Sequence, residues 1–129
     1  MSCSVAARPQ FERGVALLHS FWYDASEKAF LDAAKTDPSC AMAYWGVAMS
    51  TFHPIWAAGN PGGEPQPAEL ARGIEAVAKA KTAATQTERD TRLHRGRRGL
   101  YRDAGTRDHR ARALVFEAAM QRVYEKIPA

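Results

Sequence analysis

The stretch FERGVALLHSFWYDASEKAF, residues 11–30, decides how this chain is read. Apolar residues recur at helical spacing on both sides of an unusual joint: Phe11, Val15 and Leu18 make one stripe, Phe30 and Ala33 another. At the joint stand three consecutive aromatics, Phe21, Trp22 and Tyr23, where a surface chain normally places polar turn residues. Pro9 just ahead of the first stripe predicts a helix over about residues 9–21. Asp24, with Glu27 three positions on, predicts the N-cap and capping box of a second helix running to about Lys35, where TDPS ends it.

The same reading extends along the chain. A third helix is expected from Ser39 or Cys40 through AMAYWGVAMSTF to a stop at Pro54. Residues 57–67, AAGNPGGEPQP, are rich in Gly and Pro and predict a loop. A fourth helix should cover about residues 68–84. Thr87 with Asp90 opens a fifth, and Asp108 opens a sixth that runs to about Lys126. Alanine is abundant, β-branched residues are few and no strand alternation is present, so the chain is expected to be all-α.

Composition sets the class. A chain of 129 residues, 46% hydrophobic and 25% charged, is one domain's worth of globular protein rather than a disordered segment. No apolar run approaches the roughly 18 residues of a membrane span, and the start MSCSVAARPQFERG lacks the basic and apolar regions of an export signal. The net charge of +4 is uneven: residues 89–112 carry nine Arg against three Asp, a local +6, which leaves the other 105 residues at about −2.

A displacement of 34 residues sets His19 on His53, Trp22 on Trp56, Phe11 on Trp45 and Val15 on Met49. Gly14, Tyr23, Asp24, Phe30, Ala33 and the pair Asp37-Pro38 then fall at the small, turn, packing and closing positions of a two-helix unit. Tyr44, Val47 and Ala48 open a second unit in step. In these residues the chain resembles the tetratricopeptide (TPR) repeat family over about residues 7–128. FERGVALLHSFWYDASEKAF and DPSCAMAYWGVAMS are similar to the first repeats of exported bacterial members of that family. The resemblance implies a TPR-like right-handed α-solenoid of about three helical hairpins (six helices), with units at about 7–38, 41–85 and 87–128 and the 57–67 loop as an insertion. Such relatives are longer and start with an export signal, which implies a fragment of a longer array and an exported, oxidising setting. The chain departs from the repeat pattern at Phe21-Trp22, where Gly-Asp is usual, and at Ser26, where Ala is usual.

Function follows from the same resemblance. A two-helix unit cannot bury its apolar faces alone, so Phe21, Trp22 and Tyr23 are expected as a packed elbow between units, with Ile55 and Trp56 repeating it. The family's concave face would carry Phe11, Val15 and His19 from the first unit and Trp45, Met49 and His53 from the second. That groove is apolar and aromatic, unlike the basic clamps that hold acidic C-termini. It implies a non-enzymatic interaction scaffold for a protein or peptide partner, or internal packing against further units. No cofactor is expected. The alternative is a metal- or cofactor-binding helical domain using His19 and His53, but two imidazoles fall short of the four ligands that zinc takes. Cys3 precedes the first unit and Cys40 opens the second. Stacked units bring these entries together, so a Cys3–Cys40 disulfide and two free thiols both remain open.

The arginine-rich segment 89–112 offers a second alternative, nucleic-acid binding through clustered Arg, which the reading disfavours. LHRGRRG falls where a third unit needs small and apolar residues, and Gly96 and Gly99 each weaken a helix by about 1 kcal/mol. The helix is therefore expected to lack a continuous apolar face and to pack chiefly through Leu93, Leu100 and Tyr101. The codons cta-cat-cgc-ggc-cgt-cgc can encode Leu93–Arg98, and the same bases read one later begin tac-atc-gcg-gcc-gtc, Tyr-Ile-Ala-Ala-Val, close to what the relatives carry; a short compensated frameshift is one reading of the segment. No Gly-rich phosphate loop, nucleophile elbow or paired-carboxylate motif is present, so no catalytic residue is expected.

Overall fold

A computed structural model describes residues 3–52, 65–83 and 87–126. Among them are six helices and no strand: α1 (Arg8–His19), α2 (Tyr23–Thr36), α3 (Ala41–Ser50), α4 (Pro67–Thr82), α5 (Glu88–Tyr101) and α6 (His109–Lys126). The all-α expectation holds for these residues. His53, Pro54, Ile55, Trp56, most of the 57–67 loop and Pro128 lie outside them.

Local chemistry explains the boundaries. At α5, Thr87 Oγ1 accepts from the Asp90 amide at 3.1 Å while Asp90 Oδ2 accepts from the Thr87 amide at 3.2 Å, the reciprocal box that the sequence predicts. Ahead of α6, Asp108 Oδ1 accepts from the Ala111 amide at 2.8 Å. At α2 the expectation fails: the helix starts at Tyr23, its N-cap is Trp22, and no side chain caps it. The preceding turn is the cause. Trp22 N donates to Leu17 O at 3.0 Å and Phe21 N to Leu18 O at 3.2 Å, closing the end of α1 in a Schellman turn with Phe21 at φ 62°. That turn delivers the chain into α2 two residues early and leaves Asp24 inside its first turn, where a carboxylate favours the helix N-terminus.

Each helix packs on the next in order, and α1 also packs on α3, and α3 on α5. Phe30 of α2, fully buried, occupies the junction of the first three helices, with its ring edge-on to Phe11 at 5.5 Å. The junction is that close because Gly14 on α1 and Gly46 on α3 both face the ring. A Cβ at Gly14 would lie 2.8 Å from Phe30 Cδ1, and one at Gly46 would strike the ring outright. A hydrogen-bonded seam runs beside it: Ser26 Oγ donates to Gly14 O at 2.8 Å and lies 3.0 Å from Ser50 Oγ, which donates to Gly46 O at 2.9 Å. Ser26, the departure from the usual Ala, is thus a buried connector of three helices.

Cys3 and Cys40 form a disulfide, with Cα atoms 4.4 Å apart, that ties the segment ahead of α1 to the N-cap of α3. Asp37 reinforces the tie by accepting from the Ser4 amide at 2.7 Å and from Ser39 Oγ at 2.6 Å. Among the described residues no helix is long and apolar enough to cross a membrane.

Candidate functional site: a groove on α1, α3 and α5

Phe11, Met42, Trp45, Arg89, Asp90 and Leu93 line one depression of about 310 Å³, drawn from α1, α3 and α5. Its walls are aromatic and aliphatic. Phe11 and Met42 are rooted in the core, whereas Trp45 and Leu93 are half-buried. Arg89, exposed at the start of α5, is its one basic group, and Asp90 is held in the Thr87 capping box, so its carboxylate serves the helix end.

Of the residues expected on the concave face, Phe11 and Trp45 meet in this depression. Val15 and Met49 are half-buried and His19 is exposed at the end of α1; none of the three lines the depression. His53 lies outside the described residues. Met42 was legible as the residue one helical turn before Trp45. Leu93, Arg89 and Asp90 were not: they lie on α5, outside the residues that the 34-residue displacement pairs. Among the described residues no three His, Cys, Asp or Glu side chains gather in a way that could hold a metal ion.

Two expectations are overturned here. The aromatic elbow is not the buried joint expected: Trp22 is 67% exposed and Phe21 51%, while Tyr23 is partly buried. The turn between α1 and α2 needs a left-handed residue, and Phe21 fills a place that Gly takes at lower cost, by about 1–2 kcal/mol. Its neighbour Trp22 is carried outward with it.

The second concerns α5, expected to rest on few contacts, chiefly those of Leu93, Leu100 and Tyr101. Asp90, His94, Gly96, Arg97, Leu100 and Tyr101 are all buried. The two glycines, read as weaknesses, are where α6 comes closest: a Cβ at Gly99 would lie 2.8 Å from Val115, and one at Gly96 would strike Met120. The buried face is polar as well as apolar. Arg97 is fully buried between Phe116 and Phe52, its Cζ 4.6 Å and 5.7 Å from the two ring centroids. None of its guanidinium nitrogens has a hydrogen-bond partner among the described residues. Burial lowers the Arg97 pKa to about 10, with the Tyr101 hydroxyl opposing the shift, so the group stays charged at neutral pH. Arg112 is also buried, but it is used: Nη1 donates to Leu100 O at 2.6 Å and Nε to Arg107 O at 3.2 Å, satisfying carbonyls around the end of α5. Burial likewise lowers the His94 pKa, against the pull of Asp90.

No protein-family model, no curated protein and no solved structure matches this chain.

Proposed function

We propose that the chain is a TPR-like right-handed α-solenoid whose function is non-enzymatic, holding a peptide or helix of a partner protein in the groove on α1, α3 and α5. The order of packing supports the solenoid reading: α1, α3 and α5 lie in succession, each joined to the next by direct packing, with α2 and α4 wedged beside them. The observation that carries the function is the composition of the groove, where Phe11, Met42, Trp45 and Leu93 converge from three helices on one depression. Half-buried Trp45 and Leu93, seated on the core residues Phe11 and Met42, are the makings of a hot spot, because their remaining apolar area leaves water when a partner covers it.

Selection from a peptide display library tests this reading. Enriched peptides should carry aromatic or aliphatic anchors, and Leu93→Asp should abolish their binding while far-UV circular dichroism stays unchanged. If no peptide is enriched, or if the selected peptides bind Leu93→Asp as well as the parent, the groove is not a binding site.

A further inference from the structure

The outer seam between α5 and α6 is basic along its whole length. Arg92, Arg95 and Arg98 of α5 recur at three-residue spacing and so share one face, with Arg102 at the C-cap beyond them. Across from them α6 presents Val115, Ala119, Arg122, Val123 and Lys126 at the same kind of spacing. Two adjoining depressions of about 180 and 260 Å³ run along this seam, sharing Arg95, Ala119 and Arg122, and Arg107 from the connecting turn closes one end. Neither is lined by any acidic residue. Arg92 pairs with Glu88 at 2.6 Å and Arg102 with Asp103 at 3.6 Å, while Arg95, Arg98, Arg107 and Arg122 form no ion pair among the described residues.

Four cations held together with no ion pair among the described residues, beside two that have one, cost self-repulsion, which an anionic partner would relieve. We propose that this seam is a docking groove for an acidic amphipathic helix of a partner protein, separate from the groove on α1, α3 and α5. Three features select that occupant. The stretch from Arg92 to Arg102 is about 15 Å long, near three helical turns. The floor is aliphatic and narrow, formed by Gly99, Val115, Ala119 and Val123, and suits small apolar side chains at every third or fourth position of a ridge. The rim is guanidinium, which grips carboxylates in a planar, bidentate fashion. No aromatic side chain lines the seam, so it offers no platform on which nucleic-acid bases could stack. Arg102, Arg107 and Arg122 lie outside Leu93–Arg98, so much of the rim is independent of how that stretch is encoded.

Fluorescence anisotropy with three labelled probes tests the proposal: an acidic amphipathic helical peptide with alanine and leucine on one face, a poly-glutamate of equal length, and a single-stranded oligonucleotide. The amphipathic peptide should bind tightest, and the double variant Arg107→Glu/Arg122→Glu should weaken it by at least about tenfold. Both positions are exposed, and circular dichroism of the variant checks that the helices persist. Leu93→Asp should leave this binding intact, which separates failure here from failure of the apolar groove. Tighter binding of the oligonucleotide, equal binding of poly-glutamate, or indifference to the double variant would each overturn the proposal.

Discussion

The hydroxyl of Tyr101, on α5, lies 2.7 Å from Thr51 Oγ1 at the end of α3 and donates to the carbonyl of Ala48 at 2.6 Å. All three residues are buried, so the contact that joins the third pair of helices to the first three is a polar one made without water. Tyr101→Phe keeps the ring and takes one partner from the Ala48 carbonyl and one from the Thr51 hydroxyl, which still bond each other at 3.1 Å. Stability should fall by about 0.5–1.5 kcal/mol, read from the urea midpoint at unchanged slope. A loss no larger than that of an exposed Tyr124→Phe control would show that the hydroxyl contributes nothing.

Arg97 presents the opposite case, a buried charge whose nitrogens have no hydrogen-bond partner among the described residues. Replacing a buried, incompletely satisfied charge by an apolar side chain of similar length is neutral to stabilising. Arg97→Met should raise stability by about 1–4 kcal/mol even though it removes the stacking on Phe116 and Phe52. Thermal unfolding measures it, and a lower midpoint would mean that Arg97 has a partner in solution. The frameshift reading of Leu93–Arg98 has its own check in the coding DNA: if no pair of compensating indels restores an apolar helix, that reading fails.

Trp22, 67% exposed, should be dispensable for folding. Trp22→Ala is expected to change stability by no more than about 0.5 kcal/mol, where a packed elbow would lose about 3–5 kcal/mol. Its neighbour is more informative. Phe21→Gly at φ 62° should stabilise by about 1 kcal/mol by relieving the left-handed strain. Denaturant titration of both variants separates the two effects.

The Cys3–Cys40 bond closes a loop with a sequence separation of 37. By chain entropy its removal should cost about 4 kcal/mol. Cys3→Ser/Cys40→Ser should therefore melt well below the oxidised parent, while reduction should have no effect on the variant. Asp37, beside the bond, adds a pH term. Hydrogen bonds from the Ser39 hydroxyl, then from the Ser4 amide, hold its pKa below the ordinary carboxylate value. The folded state thus prefers the carboxylate. Its contribution is complete above the unfolded pKa and fades as the pH falls through the folded one, so Asp37→Asn should flatten the acid limb of the stability curve.

Six helices were legible in the chain because their signals are local. The Thr87/Asp90 box, the Asp108 cap, Pro9 and the apolar stripes act within a turn or two, and they hold whatever lies across the core. Two of the six residues lining the candidate groove were legible too: Phe11 and Trp45 coincide when the sequence is displaced by 34 residues. Leu93 and Arg89 join them through a proximity in space that no local signal carries.

The remainder was decided in three dimensions. Gly96 and Gly99 are poor helix residues by propensity, worth about 1 kcal/mol each against the helix, yet they sit where Met120 and Val115 press closest. Propensity is a property of one residue and packing of two surfaces, so only the partner helix could show which governs. The aromatic elbow went the other way. Phe21 and Trp22 look like core by composition, but a Schellman turn that requires one left-handed residue points them outward, a demand of backbone hydrogen bonding between Leu17, Leu18, Phe21 and Trp22 that outranks hydrophobicity. Residue types determined the helices of this protein; which of their side chains are buried was decided by the neighbours each backbone brought within reach.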